Sequence, residues 1–175
     1  MKIIYMGLDH DSLEAVIDIL SRLGLTISDT ISIDGIPEKY LDRVRMQYRG
    51  DEVNKWLYSR WGGEMILGIF SVDAYVPALN FIFGVASPLY NTATVYTARL
   101  SLNADKKVFH ERLRKEVLHE ILHLYGLGHC SNYRCVMSFS NSIHDVDRKT
   151  YLICRRDFNK LIERGLKPDE SILLK

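Results

Sequence analysis

The chain has 175 residues, a formal net charge of +1, 47% hydrophobic and 26% charged residues. That length carries one well-cored domain and leaves too little for two. The near-neutral charge offers no basic surface for nucleic acid or a membrane, and no apolar run approaches the length of a membrane span.

Lys2 to Met6 reads as a strand, and Asp9 follows too soon for an export signal. Leu13, Val16, Ile17, Leu20 and Leu23 repeat at helical spacing, with Asp11 or Ser12 as cap, Glu14 completing a capping pattern and Gly24 as the stop. Leu25 to Ile33 alternates with period two, a half-buried strand that Gly35 and Pro37 end. Asp51 to Trp61 is expected to be helical, with Gly62 and Gly63 stopping it. Met65 to Val72, Asn80 to Gly84 and Thr94 to Leu100 read as strands. Lys106 to Tyr125 reads as a long helix, and Asp157 to Arg164 as a last short one ended by Gly165. Strands alternating with helices imply an α/β layered domain.

The long helix carries His119-Glu120-Ile121-Leu122-His123-Leu124-Tyr125-Gly126-Leu127-Gly128-His129, an HExxHxxGxxH pattern. Residues four apart share a helix face, so His119 and His123 can grip one ion. Glu120 stands beside the first ligand and can reach a metal-bound water without ligating the metal. Gly126 can take the left-handed conformation that ends a helix and brings His129 back as third ligand. Three protein nitrogens leave one tetrahedral position for water, the layout of a catalytic zinc. The apolar neighbours Val117, Leu118, Ile121, Leu122, Leu124 and Tyr125 indicate a buried helix, in which two His and a Glu need partners.

The three cysteines, Cys130, Cys135 and Cys154, fall in one short segment beside this pattern. Three buried thiols, or one disulfide and a free thiol, would be the plain reading. Clustering next to a His₃ set with no export signal argues for metal thiolates in a reducing compartment, so a cytoplasmic location is expected. Three thiolates call for a fourth donor in a closed site. Asp157 stands three residues after Cys154, the separation at which a CxxC pair chelates one ion. Its alternative role is to cap the final helix, with a water or His144 completing the site.

After the third His the chain continues Cys130-Ser131-Asn132-Tyr133-Arg134-Cys135-Val136-Met137-Ser138-Phe139-Ser140-Asn141-Ser142. This resembles the archaemetzincin family of metzincin zinc metallopeptidases. Cys130 directly after the third His, Cys135 before Met137, and a later Cys154-Arg155-Arg156-Asp157 match its pattern, except that Asp157 stands where the family usually has its fourth Cys. Ser140 to Ile143, Asp145 to Lys149 and Asn80 to Gly84 are similar too. The resemblance implies a single peptidase domain over residues 1–175. In it, 1–127 hold the sheet and helices, and 128–175 form a small C-terminal part with the third His, a Met turn and a Cys-rich zinc site. It implies a five-stranded mixed sheet whose antiparallel edge is Asn80 to Gly84. It implies two zinc ions, one catalytic and one structural, and Met137 as an apolar floor beneath the first. Peptide or protein substrates follow, held by the backbone of Asn80, Phe81, Ile82, Phe83 and Gly84. A monomer without nucleic-acid or membrane partners is expected.

Two other classes compete: a catalytically silent zinc-dependent peptide-binding module, against which Glu120 speaks, and a structural zinc protein working through its Cys cluster. His10, His110 and His144 lack partner spacing and read as surface or capping residues. Trp56 and Trp61 read as core. Lys106, Lys107, Arg112, Arg114 and Lys115 read as the solvated face of the long helix.

Overall fold

The computed structural model describes all 175 residues. A five-stranded sheet is built from β1 (Lys2–Met6), β2 (Asp29–Ser32), β3 (Ile66–Phe70), β4 (Gly84–Ser87) and β5 (Thr92–Tyr96). The order across it is β2–β1–β3–β5–β4, all parallel except β4, which runs antiparallel to β5. The helices are α1 (His10–Arg22), α2 (Gly50–Trp61), α3 (Lys106–Leu124), α4 (Ile143–Arg148) and α5 (Arg155–Glu163). Every residue of β3 and β5 is buried, as expected for parallel strands covered on both faces. Alternate side chains then serve two cores. Ile3, Leu67, Ile69, Ala93 and Val95 pack with α1 and α3, while Ile4, Ile66, Phe70 and Tyr96 pack with Val53 and Leu57 of α2. The larger core also takes in Leu166, Ile172 and Leu173 from the chain's last segment.

Two helix ends show how local chemistry sets the frame. The cap of α1 is Asp9, two or three residues earlier than the expected Asp11 or Ser12; its carboxylate accepts the Ser12 N–H at 2.8 Å. Asp11 instead lies in the first turn, where a negative charge suits the helix dipole. At the end of α3, Gly126 adopts φ +68°, its N–H bonds His123 O at 2.8 Å, and the Leu127 N–H bonds Leu122 O at 3.1 Å. This paired closure needs a left-handed residue, which glycine provides without strain.

The edge strand lies further along than the sequence suggests. β4 covers Gly84–Ser87 and shares only Gly84 with the expected Asn80–Gly84. The residues before it are engaged elsewhere. The Ile82 N–H bonds Ala74 O at 2.9 Å, and Asn80 O accepts from Arg45 Nη2 at 2.7 Å and Gln47 Nε2 at 3.1 Å. These bonds fasten the segment to a small three-stranded sheet of Leu41–Asp42, Gln47–Arg49 and Ala74–Tyr75. Strands of two or three residues carry no readable period, so this sheet left no sequence signal. β2 is likewise shorter than the alternation from Leu25 to Ile33, because only Asp29–Ser32 lie in register with β1.

The expected solvated face of α3 is partly buried. Arg112 is 5% exposed and Lys115 8%. α4 packs there: Asp147 grips the Arg112 guanidinium with both oxygens, at 2.7 and 2.8 Å, and Val146 O accepts from Lys115 Nζ at 3.1 Å. Replacing Asp147 by Ala is expected to cost about 2 kcal/mol, less than a fully buried pair because the carboxylate is partly open to water. Adding Arg112→Met should restore much of that loss. Urea unfolding of the two variants checks this, and an unweakened Asp147→Ala protein would contradict it.

Candidate metal centres

His119 and His123 lie one turn apart on α3, and the turn at Gly126 carries His129 back over them. The three ring centroids are 4.6, 5.0 and 5.3 Å apart. Nδ1 of His119 lies 2.8 Å from Val136 O, and Nδ1 of His123 lies 2.7 Å from Leu127 O. Carbonyls only accept, so in both rings Nδ1 carries the proton. Nε2 of each neutral ring then holds only a lone pair, and these two nitrogens face each other at 3.1 Å. They cannot bond one another; a shared cation satisfies both. The backbone carbonyls fix ring tautomer and direction, as outer-shell partners of metal-binding histidines do. Burial, and next the Lys149 ammonium, push His119 well below the usual imidazole range; burial also lowers His123 and His129. All three rings are therefore uncharged near neutral pH, the form that ligates metal.

Glu120 is 5% exposed and lies against the edge strand. A Cβ on Gly84 would lie 2.5 Å from Glu120 Cγ and 2.7 Å from Thr94 O, so only glycine lets the strand pass this close. Burial pushes the Glu120 carboxyl well above its ordinary range; Glu116, one turn back, adds to this and Lys149 opposes it. Lys149 Nζ and Glu116 Oε1 are 2.8 Å apart, both side chains at most 3% exposed, in an ion pair not aligned as a hydrogen bond. A groove of about 410 Å³ runs over the three histidines and Glu120. One wall is Phe81 to Ala86 and the other Phe139 to Asn141, with Glu116 between.

The second cluster gathers Cys130, Cys135, Cys154 and Asp157, whose donor atoms all lie within 4.8 Å of one another. Cys130 and Cys154 Sγ are 3.8 Å apart, and the Cys154 thiol donates to Asp157 Oδ2 at 3.2 Å. Cys154 caps α5 and Asp157 sits in its first turn. Burial raises both Cys135 and Cys154, the latter to about 12, so their thiolates need a cation. Burial also pushes Asp157 up, but the Arg156 guanidinium and the Cys154 thiol outweigh it and hold the carboxyl below its usual range. The donor set thus fits a divalent thiophilic ion. His144 is exposed and outside the cluster.

The two clusters meet at one residue. Val136 O receives the His119 Nδ1–H, while the Val136 N–H bonds Leu152 O at 2.8 Å, two residues before Cys154. Met137 is fully buried in a tight turn closed by Ser138 N–H on Cys135 O at 2.9 Å, and its own carbonyl accepts the Cys130 N–H at 2.8 Å.

Of the expected substrate segment, Phe81, Ile82, Phe83 and Gly84 reach the groove, and Asn80 does not. Glu116, Lys149, Ser140 and the rest of the edge strand were not foreseen as site residues. For Glu116 a signal existed: it precedes Glu120 by four residues and so shares its helix face.

The sequence pattern of peptidase family M54 matches residues 28–163. The archaemetzincin of Aeropyrum pernix is 46% identical over 123 residues, covering 67% of each chain. The crystal structure of archaemetzincin from Methanopyrus kandleri superposes with a TM-score of 0.83 at 33% identity, over 94% of this chain and 95% of that one. The archaemetzincin of Archaeoglobus fulgidus, crystallised with malonate, gives 0.80 at 32% identity, over 91% and 99%.

Proposed function

The chain belongs to peptidase family M54, the archaemetzincins, which are zinc-dependent metallopeptidases, and we propose that it cuts peptide bonds with Glu120 as general base beside an ion held by His119, His123 and His129. The observation that carries this is the pair of facing Nε2 lone pairs 3.1 Å apart, with Glu120 buried alongside. When bound, zinc supplies Lewis acidity and a water that ionises near neutral pH. Glu120 takes the proton of the attacking water on its carboxylate and returns it to the leaving amine. Met137 underlies the histidines as apolar packing without chemistry of its own. No helix is long and apolar enough to cross a membrane.

The substrate backbone is held by the edge strand. Phe83 O accepts the Tyr96 N–H at 2.8 Å, so Phe83 points its polar groups inward to β5. Antiparallel alternation then turns those of Gly84 and Ala86 outward, where an extended peptide can pair with them. Gly84→Ala is expected to displace Glu120 and lower kcat about 10²-fold at unchanged zinc content. Equal kcat for parent and variant would remove Gly84 from the site.

A second zinc, held by Cys130, Cys135, Cys154 and Asp157, steadies His129 through its bonded neighbour Cys130. The overall reading is tested by incubating zinc-loaded protein with a randomised peptide library, with and without chelator. Cleavage that the chelator stops is expected. Peptides bound but uncut by fully zinc-loaded protein would instead mean a silent binding module.

A further inference from the structure

Two of the three histidines are aimed by the backbone, and the third is not. His119 and His123 stand on α3, and each turns its Nδ1–H onto a carbonyl, Val136 O at 2.8 Å and Leu127 O at 2.7 Å. His129 is exposed and lies beyond the end of the helix, and neither nitrogen of its ring has a hydrogen-bond partner in the protein. An imidazole on a loop turns about two side-chain bonds, and freezing them in the ligating direction costs entropy. Metal-binding histidines are normally held against that cost by an outer partner.

Apart from the other two histidines, the ring that lies against His129 is that of Phe139. The centroids are 5.0 Å apart and the planes meet at 64°, an edge-to-face contact. Phe139 belongs to neither core, and its side chain is 50% exposed. Its backbone is nevertheless fixed. The Cys130 N–H on Met137 O, at 2.8 Å, ties the residue after His129 to the Met137 turn, and the Ser138 N–H on Cys135 O, at 2.9 Å, closes that turn directly before Phe139. The buried Lys149 ammonium donates to Ser138 O at 3.4 Å. A large apolar side chain kept half in water on so firm a base gains little from burial. What it touches is the third ligand.

We propose that Phe139 is the positioning residue of the third metal ligand, its ring doing for His129 what the Val136 and Leu127 carbonyls do for His119 and His123. This deepens the metallopeptidase reading and rests on the three histidines sharing an ion, not on peptide cleavage. An edge-to-face pair holds direction as well as position, because the positive edge of one ring seeks the negative face of the other. Losing an outer partner of a ligating histidine lowers metal affinity roughly 10–100-fold, and an aromatic contact belongs at the lower end of that range.

The test challenges zinc-loaded parent, Phe139→Ala, Phe139→Leu and His129→Ala with a chelator and follows zinc release in time. The ion whose release His129→Ala speeds is the one at the histidines. Phe139→Ala is expected to release that ion about tenfold faster than the parent. Phe139→Leu, which keeps apolar bulk without the ring, is expected to fall between them. Release of the other ion and the Tm of the metal-free proteins are expected to stay as in the parent. Phe139 also lines the groove, so KM and kcat are read in parallel on zinc-saturated protein. A raised KM with unchanged zinc release makes Phe139 a wall of the groove only and overturns the proposal. A lowered metal-free Tm, or faster release of both ions, makes it a structural residue and does the same. A Leu variant that matches the parent shows that the ring is not needed, which also overturns it. If the parent holds zinc at the histidines and cuts no peptide, the peptidase reading fails and the zinc comparison still decides this one. A parent that takes no metal at the histidines overturns both.

Discussion

Replacing Glu120 by Gln is expected to lower peptide hydrolysis by on the order of 10²–10⁴, with zinc at the His₃ site and the fold retained. Gln fills the same space between α3 and Gly84 but cannot take a proton. Zinc content by metal analysis and turnover on any peptide the parent cuts decide the matter, and undiminished turnover would sink the general-base role. A second readout is independent of turnover. Burial, and then Glu116, raise the Glu120 carboxyl well above its ordinary 4.5. In metal-free protein the folded state thus keeps a proton that the unfolded chain releases above about pH 4.5. Stability from this group is full below that pH and is lost as pH rises through the folded value. Metal-free Glu120→Gln should therefore match the parent near pH 4 and exceed it in Tm at pH 8. For a chain of this length each kcal/mol is worth roughly 2–4 °C. No divergence between the two pH values would mean that the buried carboxyl carries no such cost.

Carefully reduced protein is expected to hold two zinc ions per chain, and Cys135→Ser to hold one. Structural zinc contributes folding energy directly, so this variant should lose several kcal/mol of stability. The sheet and its two cores remain, which keeps the loss below that of a domain folded by zinc alone. Cys130→Ser should also reduce hydrolysis, although Cys130 touches no catalytic group, because it is bonded to His129. Asp157 is a harder donor than the cysteine usual at this place, and Arg156 competes for it at 3.0 and 3.2 Å. Asp157→Cys is therefore expected to slow zinc loss to a chelator. One zinc per chain in the parent would overturn the second site; a coordination sphere without the Asp157 oxygen would overturn only the fourth ligand.

The long helix, the glycine turn after it and the grouping of His119, His123 and His129 were legible because each rests on neighbours within eleven residues. Helical period, a left-handed glycine and fixed spacing act locally, and packing only buries what they build. The central strand β3 was legible for a similar reason, since burial on both faces demands a continuous apolar run. What the sequence could not place depends on segments that meet only in the fold. The edge strand slid from Asn80–Gly84 to Gly84–Ser87 because Arg45 and Gln47, far back in the chain, and Ala74 of the small sheet had already bonded the earlier residues. Arg112 and Lys115 left the solvent because the short helix Ile143–Arg148, too brief to show a period, lies across them. The Lys149–Glu116 ion pair joins residues 33 apart and was invisible to any pattern of spacing. Charges like these remain in a core only when the tertiary structure supplies the partner, since burying either alone would cost several kcal/mol.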